Sequence, residues 1–350
     1  MLADARVLLT GATGRLGRCL AQELARDGCE LVLLVRASSP EAALDRVRMA
    51  LGGSVDLRRV TALCGDMTQA ELGLRMRERR RLRASIDLVL HAAATTSFTS
   101  PLEEARETNV AAAKNVLAFA ERAARLWRIG HVSTAFVAGK RSGRILETDL
   151  EHDRGFQNTY QQSKYEAERL VRAHADRLPI VVYRPSIVLD GPDAPGRSAF
   201  RYAFELVRRG LLPAVPGSAT TPVDLVTEED AAHAITRLLF AADEGGTYHV
   251  AGGDHTPSLA DIVEPFGVDF LGEDQFRWAL SKWRHERPRL APVYDELASF
   301  IFELAYPKVF DTSRVETALG GPVVRSSPLA SLLHTDVDAA EPVRVGARES

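Results

Sequence analysis

Three side chains in the middle of the chain could perform acid–base chemistry. Tyr160 and Lys164 are spaced i and i+4, which places both on one face of a helix. A phenol has a reference pKa of about 10, and a nearby ammonium lowers this pKa because it stabilises the phenolate. Thr134 ends an apolar run upstream and adds a hydroxyl. We therefore interpret Thr134, Tyr160 and Lys164 as candidate catalytic residues.

A glycine-rich stretch near the amino terminus has the spacing of a phosphate-binding loop. Gly11, Gly14 and Gly17 follow an apolar run and precede an amphipathic segment, so a strand, a tight turn and a helix are predicted. Glycine lets the backbone approach a pyrophosphate, and the free N–H groups at the helix start bind it. Such glycines also serve plain turns, but their place between strand and helix favours dinucleotide binding.

Alternating strands and helices must position these residues. Apolar runs typical of strands buried on both faces lie at 31–35, 60–64, 86–90, 129–134, 180–183 and 247–251. Helical patterns lie at 16–27, 101–125, 164–177 and 228–240. This alternation predicts an α/β fold with a doubly wound parallel sheet of the Rossmann type.

The second half of the chain predicts a smaller, mostly helical lobe for the substrate. We expect a cofactor-binding domain at 1–185, completed by about 222–252, and a substrate lobe formed by 186–221 and 253–340. Residues 341–350 are interpreted as a loose tail. The aromatic residues of the lobe are assigned to core packing: Trp278, Trp283, Phe300, Phe302 and Tyr306.

Arg36 indicates which dinucleotide the chain binds. It ends the second predicted strand, where enzymes that use NAD place an acid for the ribose 2′-hydroxyl. An arginine suits the 2′-phosphate of NADP instead. The alternative is an ordinary surface arginine, and we favour NADPH as the cofactor.

The composition restricts the partners and the setting. The net charge of −3 gives no reason to expect nucleic acid or an acidic membrane. The arginine-rich stretch 75–83 is interpreted as the solvated face of a helix, with polyanion binding as the alternative. Cys19, Cys29 and Cys64 indicate no disulfide framework. Neither a signal peptide nor an apolar run of roughly 18 residues is found. We expect a cytoplasmic monomer or homodimer without a metal site.

Taken together, these landmarks resemble the extended short-chain dehydrogenase/reductase superfamily over roughly residues 5–252. Residues 10–17 match its TGATGxxG loop, 65–67 its GD step at the adenine, and 91–94 its N/H-A-A-A segment, in which His91 is interpreted as structural. Thr134, Tyr160 and Lys164 match its catalytic triad, and Asn109 matches the asparagine that precedes a long helix.

Within the superfamily, the chain is most similar to the male-sterility branch, which includes fatty acyl-CoA reductases and thioester reductase domains. The residues that carry this likeness are 34–37, 91–93, 97–98, 132–134 and 222–224. Sugar-nucleotide epimerases and dehydratases, with tightly bound NAD(P), are the alternative. They usually carry an arginine just before the segment that matches 222–224, where this chain has Ala219-Thr220-Thr221. The intact triad argues against a third reading, a non-catalytic NADP-sensing module.

The resemblance implies an NADPH-dependent oxidoreductase that reduces an acyl thioester, an aldehyde or a ketone. It implies that Tyr160 donates the proton, Thr134 fixes the oxygen, and Lys164 lowers the pKa of Tyr160 and binds the nicotinamide ribose. The acyl donor would be bound to coenzyme A or to a carrier protein and would arrive as a separate molecule. The cofactor contacts that the resemblance implies are Gly11, Thr13, Gly14, Arg15, Leu16, Gly17, Arg36, Asp66, Met67, Ala92, Ala93, Tyr160, Lys164, Pro185 and Ile187.

Overall fold

The computed structural model describes residues 4–190, 198–241, 245–325 and 327–328. The predicted tail at 341–350 lies outside the described residues, as do 191–197 and 329–340 of the predicted lobe. The described strands are, in chain order, β1 (Arg6–Thr10), β2 (Glu30–Val35), β3 (Val60–Cys64), β4 (Leu88–His91), β5 (Arg128–Val132), β6 (Gly143–Ile145), β7 (Ile180–Pro185), β8 (Ile187–Leu189), β9 (Ala214–Pro216), β10 (Leu225–Thr227), β11 (Gly246–Val250), β12 (Asp269–Leu271) and β13 (Lys308–Phe310).

The described α-helices lie between and around these strands. They are α1 (Arg15–Arg26), α2 (Pro40–Leu51), α3 (Met76–Ser85), α4 (Leu102–Arg106), α5 (Ala112–Ala120), α6 (Thr159–Arg172), α7 (Ala199–Arg208), α8 (Glu228–Ala241), α9 (Leu259–Val263), α10 (Glu273–Glu286), α11 (Ala291–Ala298) and α12 (Ser313–Leu319). Within the described residues, none of the helices is both long and apolar enough to span a membrane.

Seven of the described strands form one parallel sheet in the order β11-β7-β5-β4-β1-β2-β3. The chain winds outward from β1 in one direction through β2 and β3, and in the other direction through β4, β5 and β7. A doubly wound sheet of this kind binds ligands at the carboxyl ends of its strands, where the winding reverses. The predicted Rossmann sheet is therefore confirmed, and its binding edge lies at the ends of β1 and β4.

Helices cover both faces of the sheet and bury its apolar side chains. On one face, α1, α2 and α8 pack through residues such as Leu20, Val47 and Leu238. On the other face, α5 and α6 pack through residues such as Val116 and Val171. The sheet strands are continuous apolar runs because both of their faces are buried.

A second apolar core lies in the part of the chain that follows β8. It includes Phe204 of α7, Phe276 of α10 and Tyr294 of α11, so this lobe is mostly helical, as predicted. Core packing is confirmed for Phe302, but it is wrong for Trp278, which is 68% exposed. Trp278 lies on α10 away from the face that carries Phe276, and its ring contacts the Lys282 ammonium instead.

The last described helix returns to the first core. Val315 of α12 and Val323 after it pack into the core of the sheet, although both lie in the predicted lobe segment 253–340. The short pair of β6 and β13 also joins this segment to the loop after β5. The boundary between the two predicted domains stays a prediction.

The sheet buries three histidines in their neutral form. The rings of His91 and His131 lie 5.3 Å apart on neighbouring strands. Burial and the nearby Lys164 ammonium lower the pKa of His91 to about 3 and hold that of His131 well below its usual value. Burial likewise lowers the pKa of His249 to about 3. These rings stay uncharged because the interior disfavours a cation.

We expect His131→Leu to weaken the acid sensitivity of folding. In wild type, the unfolded chain takes up a proton at His131 below about pH 6.5, whereas the folded chain does not, so stability falls as the pH falls. Leucine removes this contribution and also the buried Nε2 atom, which has no hydrogen-bond partner among the described residues. The variant should gain about 1.4 kcal/mol in unfolding free energy, relative to wild type, for each pH unit below 6.

Urea unfolding at several pH values between 7.5 and 4.5 measures this difference. His285→Leu, which replaces an exposed histidine of α10, is the control and should unfold with the pH dependence of wild type. Parallel curves for wild type and His131→Leu would show that His131 does not resist protonation in the folded state.

Candidate active site

The glycine loop after β1 has no room for a side chain at Gly11 or Gly17. A Cβ added at Gly17 would lie 1.9 Å from the carbonyl oxygen of Gly11, and one added at Gly11 would lie 2.7 Å from the Ala93 amide nitrogen. Gly11 also adopts a φ of +80°, which residues with a Cβ rarely adopt. The loop is thus held against the end of β4, where Ala92 and Ala93 follow the strand.

The start of α1 offers free backbone donors to an anion. Gly14 is the N-cap residue and supplies no side chain to bond the first turn. The N–H groups at the start of an α-helix have no partner within the helix, and the helix dipole is positive there. Thr13, Gly14, Arg15 and Leu16 surround this end of the helix, and Gly14 is exposed. The loop therefore fits a pyrophosphate, which needs close backbone approach and N–H donors.

The Arg15 side chain bonds two carboxylates in the described structure. Its guanidinium lies 2.8 Å from Asp190 Oδ1 and donates over 3.1 Å to Glu228 Oε1. Asp190 also pairs with Arg201 of α7 at 3.3 Å. Arg15 therefore links the glycine loop to the second lobe through Asp190. The sequence gives no sign of this link, because its members are far apart along the chain.

The ends of β2 and β3 carry the residues predicted to contact the adenosine part of the cofactor. Arg36 directly follows β2, is exposed, and its guanidinium has no hydrogen-bond or ion-pair partner within the described residues. The Arg46 side chain donates to the Arg36 carbonyl oxygen over 2.9 Å. Asp66 follows β3 and accepts hydrogen bonds from Thr68, and the Met67 carbonyl accepts one from Asn115.

The three candidate catalytic residues meet where β5 ends against α6. The Thr134 hydroxyl lies near the phenol of Tyr160 and lowers its pKa. It also donates to the carbonyl of Pro185, at 3.4 Å, and caps the helical turn that follows Thr134. Lys164 is only 2% exposed and its Nζ donates to the Val132 carbonyl over 2.8 Å. Asn158 caps α6 through its side chain, so Tyr160 lies in the first turn of that helix.

The pKa values of this pair differ from the sequence prediction. Burial raises the pKa of Tyr160 to about 12, and the nearby Thr134 hydroxyl opposes this rise. Burial lowers the pKa of Lys164 to about 8, and the Glu168 carboxylate opposes this fall. We predicted that Lys164 lowers the pKa of Tyr160. In this structure the ammonium bonds the Val132 carbonyl, and burial dominates the pKa of the phenol.

A buried carboxylate beneath the triad ties three elements together. Glu168, one helical turn after Lys164, is completely buried. It accepts a 2.6 Å hydrogen bond from Ser133 Oγ at the end of β5 and two bonds of 2.7 and 3.1 Å from Arg184 of β7. Sequence analysis missed this cluster, since neither Ser133 nor Arg184 has a spacing that points to Glu168.

Asn109 joins α6 to the loop after β4. It lies in a single π-helical turn, Glu107–Ala111, between α4 and α5, and such turns are frequent at functional sites. Its side chain accepts from the Thr95 amide at 2.9 Å and donates to Ser163 Oγ at 2.8 Å. The Ser163 hydroxyl in turn donates to the Tyr160 carbonyl. Asn109 therefore fixes the loop after β4 beside the helix turn that carries Tyr160.

The segment after β7 lies on the other side of Thr134. Pro185 ends β7, and the Ile187 amide donates to the Asp224 carbonyl at 3.2 Å. The Asp224 carboxylate is buried and accepts hydrogen bonds from the amides of Gly252 and Gly253. The predicted contacts thus follow the carboxyl ends of β1, β2, β3, β4 and β7 along one edge of the sheet, with Tyr160 and Lys164 on the helix packed beside it.

The family of the chain follows from a comparison of its sequence. Residues 9–235 match the family model described as male sterility protein, which is more than half of the chain. The chain belongs to this family. The fold and the relatives also confirm the resemblance to the extended short-chain dehydrogenase/reductase superfamily and, within it, to the thioester reductase-like branch.

Members of the male sterility family and related proteins differ widely in length. The fatty acyl-CoA reductase wat of Drosophila melanogaster is 28% identical over 223 residues, which are 53% of this chain and 43% of that protein. The isonitrile lipopeptide synthase of Streptomyces coeruleorubidus is 34% identical over 298 residues, 80% of this chain and 20% of that protein. This chain therefore spans less than half the length of either relative.

A solved structure matches almost the whole chain. The terminal R domain from the myxalamid PKS-NRPS biosynthetic pathway superposes with a TM-score of 0.80 at 28% identity. The match covers 95% of this chain and 89% of that one. The second lobe is therefore part of the architecture shared with this R domain.

We expect Gly17→Ala to abolish binding of the nicotinamide cofactor and to lower the unfolding free energy by about 3 kcal/mol. The added methyl group would lie 1.9 Å from the Gly11 carbonyl oxygen, so the loop must move away from the start of α1. Titration of NADPH fluorescence and urea unfolding measure the two effects. Gly53→Ala, where the added Cβ meets nothing within 4 Å, is the control. Wild-type affinity in Gly17→Ala would refute the loop as the pyrophosphate site.

Proposed function

We propose that this chain is an NADPH-dependent oxidoreductase that reduces the carbonyl group of an acyl thioester, an aldehyde or a ketone. The observation that carries the proposal is the proximity of the Thr134 hydroxyl to the Tyr160 phenol, on the helix that also carries the buried Lys164 ammonium. This group lies at the same edge of the sheet as the glycine loop. A proton donor and a dinucleotide loop are the two parts that carbonyl reduction needs.

The relatives support an acyl thioester as the substrate. One is called a fatty acyl-CoA reductase and another a lipopeptide synthase, and the solved structure is a terminal R domain of a PKS-NRPS pathway. We propose that the acyl group is bound to coenzyme A or to a carrier protein. The cytoplasmic setting and the monomeric or homodimeric state stay predictions.

The residues that would hold the cofactor follow the edge of the sheet. Gly11, Gly14 and Gly17, with the N–H groups of Arg15 and Leu16, suit the pyrophosphate. Arg36 would bind the 2′-phosphate. The remaining proposed contacts are Thr13 at the loop, Asp66 and Met67 at the adenine, and Ala92, Ala93, Tyr160, Lys164, Pro185 and Ile187 towards the nicotinamide end.

The triad performs the proton chemistry in this proposal. When bound, the nicotinamide supplies a hydride to the carbonyl carbon. Tyr160 carries its proton at neutral pH, because its pKa is about 12, and donates this proton to the carbonyl oxygen. Thr134 fixes that oxygen through a second hydrogen bond. Lys164, with a pKa of about 8, carries a positive charge at neutral pH that stabilises the phenolate once the proton has left. Positioned proton transfer contributes about 100- to 10,000-fold to the rate.

Tyr160→Phe should lower kcat at least 100-fold while NADPH affinity stays near that of wild type. The ring keeps its packing against Phe98, and only the proton donor is lost. NADPH oxidation is measured with acyl-CoAs, aldehydes, ketones and UDP-sugars. Tyr165→Phe is the control, because it removes a hydroxyl of the same helix that bonds Glu151.

Two outcomes contradict this assignment. A Tyr160→Phe variant that keeps a tenth or more of the wild-type kcat would exclude Tyr160 as the proton donor. Turnover of a UDP-sugar, with no oxidation of NADPH by any carbonyl substrate, would favour a sugar-nucleotide epimerase or dehydratase.

Arg36→Ala should reduce NADPH affinity by about 10- to 150-fold and leave NADH affinity nearly unchanged. Charge-assisted hydrogen bonds to the 2′-phosphate are worth roughly 1.5–3 kcal/mol, and NADH offers no such phosphate. Arg36→Asp should go further, because it repels the phosphate and accepts a hydrogen bond from the ribose of NADH. The measurement is kcat/KM for both cofactors. Arg77→Ala, which removes an exposed arginine of α3, is the control. An unchanged ratio in Arg36→Ala would exclude Arg36 as the phosphate contact.

A further inference from the structure

Three aromatic rings from three segments meet beside the reactive hydroxyl. The Phe98 ring, from the loop after β4, meets the Tyr160 ring edge-on with centroids 5.7 Å apart. The Phe300 ring, from the second lobe, has its centroid 5.7 Å from that of Phe98. All three residues remain partly exposed. The result is a row of apolar surface that begins at Tyr160 and ends in the second lobe.

The first turn of α6 holds both sides of this row in place. Thr159 donates to the Ser100 carbonyl over 2.8 Å and so fixes the loop that carries Phe98. Asn158 donates to the Ser299 carbonyl over 3.0 Å and so fixes the residue before Phe300. Since Tyr160 follows these two residues directly, the reactive hydroxyl and both rings are positioned by one helical turn. The two rings are therefore held in fixed positions next to Tyr160.

The row is continuous with the apolar core of the lobe. Phe300 packs against the second core, which Phe302 and Ile301 help to form. A ligand that places its carbonyl at Tyr160 and extends along Phe98 would thus bury apolar surface over its whole length. A sugar would leave its hydroxyl groups without partners on such a surface, and unpaired polar groups are costly to bury.

We propose that Phe98 and Phe300 form the binding wall for the acyl chain of the substrate, and that this chain selects substrates with an apolar group next to the reacting carbonyl. This inference rests on the proposed function, because it takes Tyr160 as the group that meets the carbonyl.

The experiment compares acetyl, hexanoyl and decanoyl thioesters of N-acetylcysteamine, and the aldehydes of the same lengths. In wild type, kcat/KM should rise about fourfold for each methylene that contacts the wall. Phe98→Ala and Phe300→Ala should each reduce the decanoyl-to-acetyl ratio of kcat/KM at least about tenfold. Trp278→Ala, which removes a large exposed ring of the same lobe, is the control and should leave the ratio unchanged.

Two further measurements separate this wall from the proposed reaction. Calorimetric binding of decanamide, which is not reduced, reports on the wall alone, and thermal unfolding reports on the integrity of each variant. Phe98→Leu replaces Phe98→Ala should the latter unfold, with a smaller reduction expected. One result would contradict the proposed reaction and support the proposed binding wall. In this result wild type binds decanamide more tightly than the Phe98 variants do, but it reduces none of the substrates. The opposite result would contradict the binding wall and support the proposed reaction. In this result the Phe98 and Phe300 variants reduce thioesters with the decanoyl-to-acetyl ratio of wild type.

Discussion

The geometry of the site depends on one buried carboxylate. Glu168 receives hydrogen bonds from Ser133 at the end of β5 and from Arg184 on β7, and it lies one turn after Lys164 on α6. These bonds fix the helix against two neighbouring strands at the point where both strands end. Because Thr134 directly follows Ser133, the hydrogen bond between Ser133 and Glu168 also fixes the position of Thr134 relative to α6. Glu168 and Arg184 are both buried, so removing either one would leave an unpaired buried charge and strongly destabilise the fold. The pairing therefore holds the two elements in one arrangement.

The same region shows how a protein interior limits positive charge. The Lys164 ammonium is nearly inaccessible and bonds a backbone carbonyl, and its pKa falls to about 8 because of burial. His91 and His131 lie close enough for this ammonium to lower their pKa values further, so both rings are neutral. Glu168 acts in the opposite direction and favours the charged lysine. The carboxylate thus favours the charged form of Lys164, while His91 and His131 stay uncharged.

The sequence predicts the parts of this structure that local pattern determines. The run 31–35 lies in β2, and all of its residues are buried, as expected of a continuous apolar run in a strand covered on both faces. The glycine loop could also be predicted from the sequence, because close backbone contacts require glycine at Gly11 and Gly17. Three-residue strands such as β6 and β13 are too short to show a period, and the π-helical turn at Glu107–Ala111 looks like ordinary helix. The Glu168 cluster could not be predicted, because its partners Ser133 and Arg184 are distant from Glu168 in sequence. Trp278 was predicted wrongly, because tryptophan is usually buried whereas this side chain is exposed.

The return of the chain to its first core has a consequence for synthesis on the ribosome. Val315 and Val323 complete the core that begins with Val7 and Leu9, so the earliest and the latest described segments share one set of contacts. A nascent chain therefore lacks the contacts of Val315 and Val323 on one face of that core until both residues have been synthesised. This face stays exposed to water until the whole second lobe has been translated. Closing it last couples the folding of the two cores, because the lobe must be accommodated before α12 can dock.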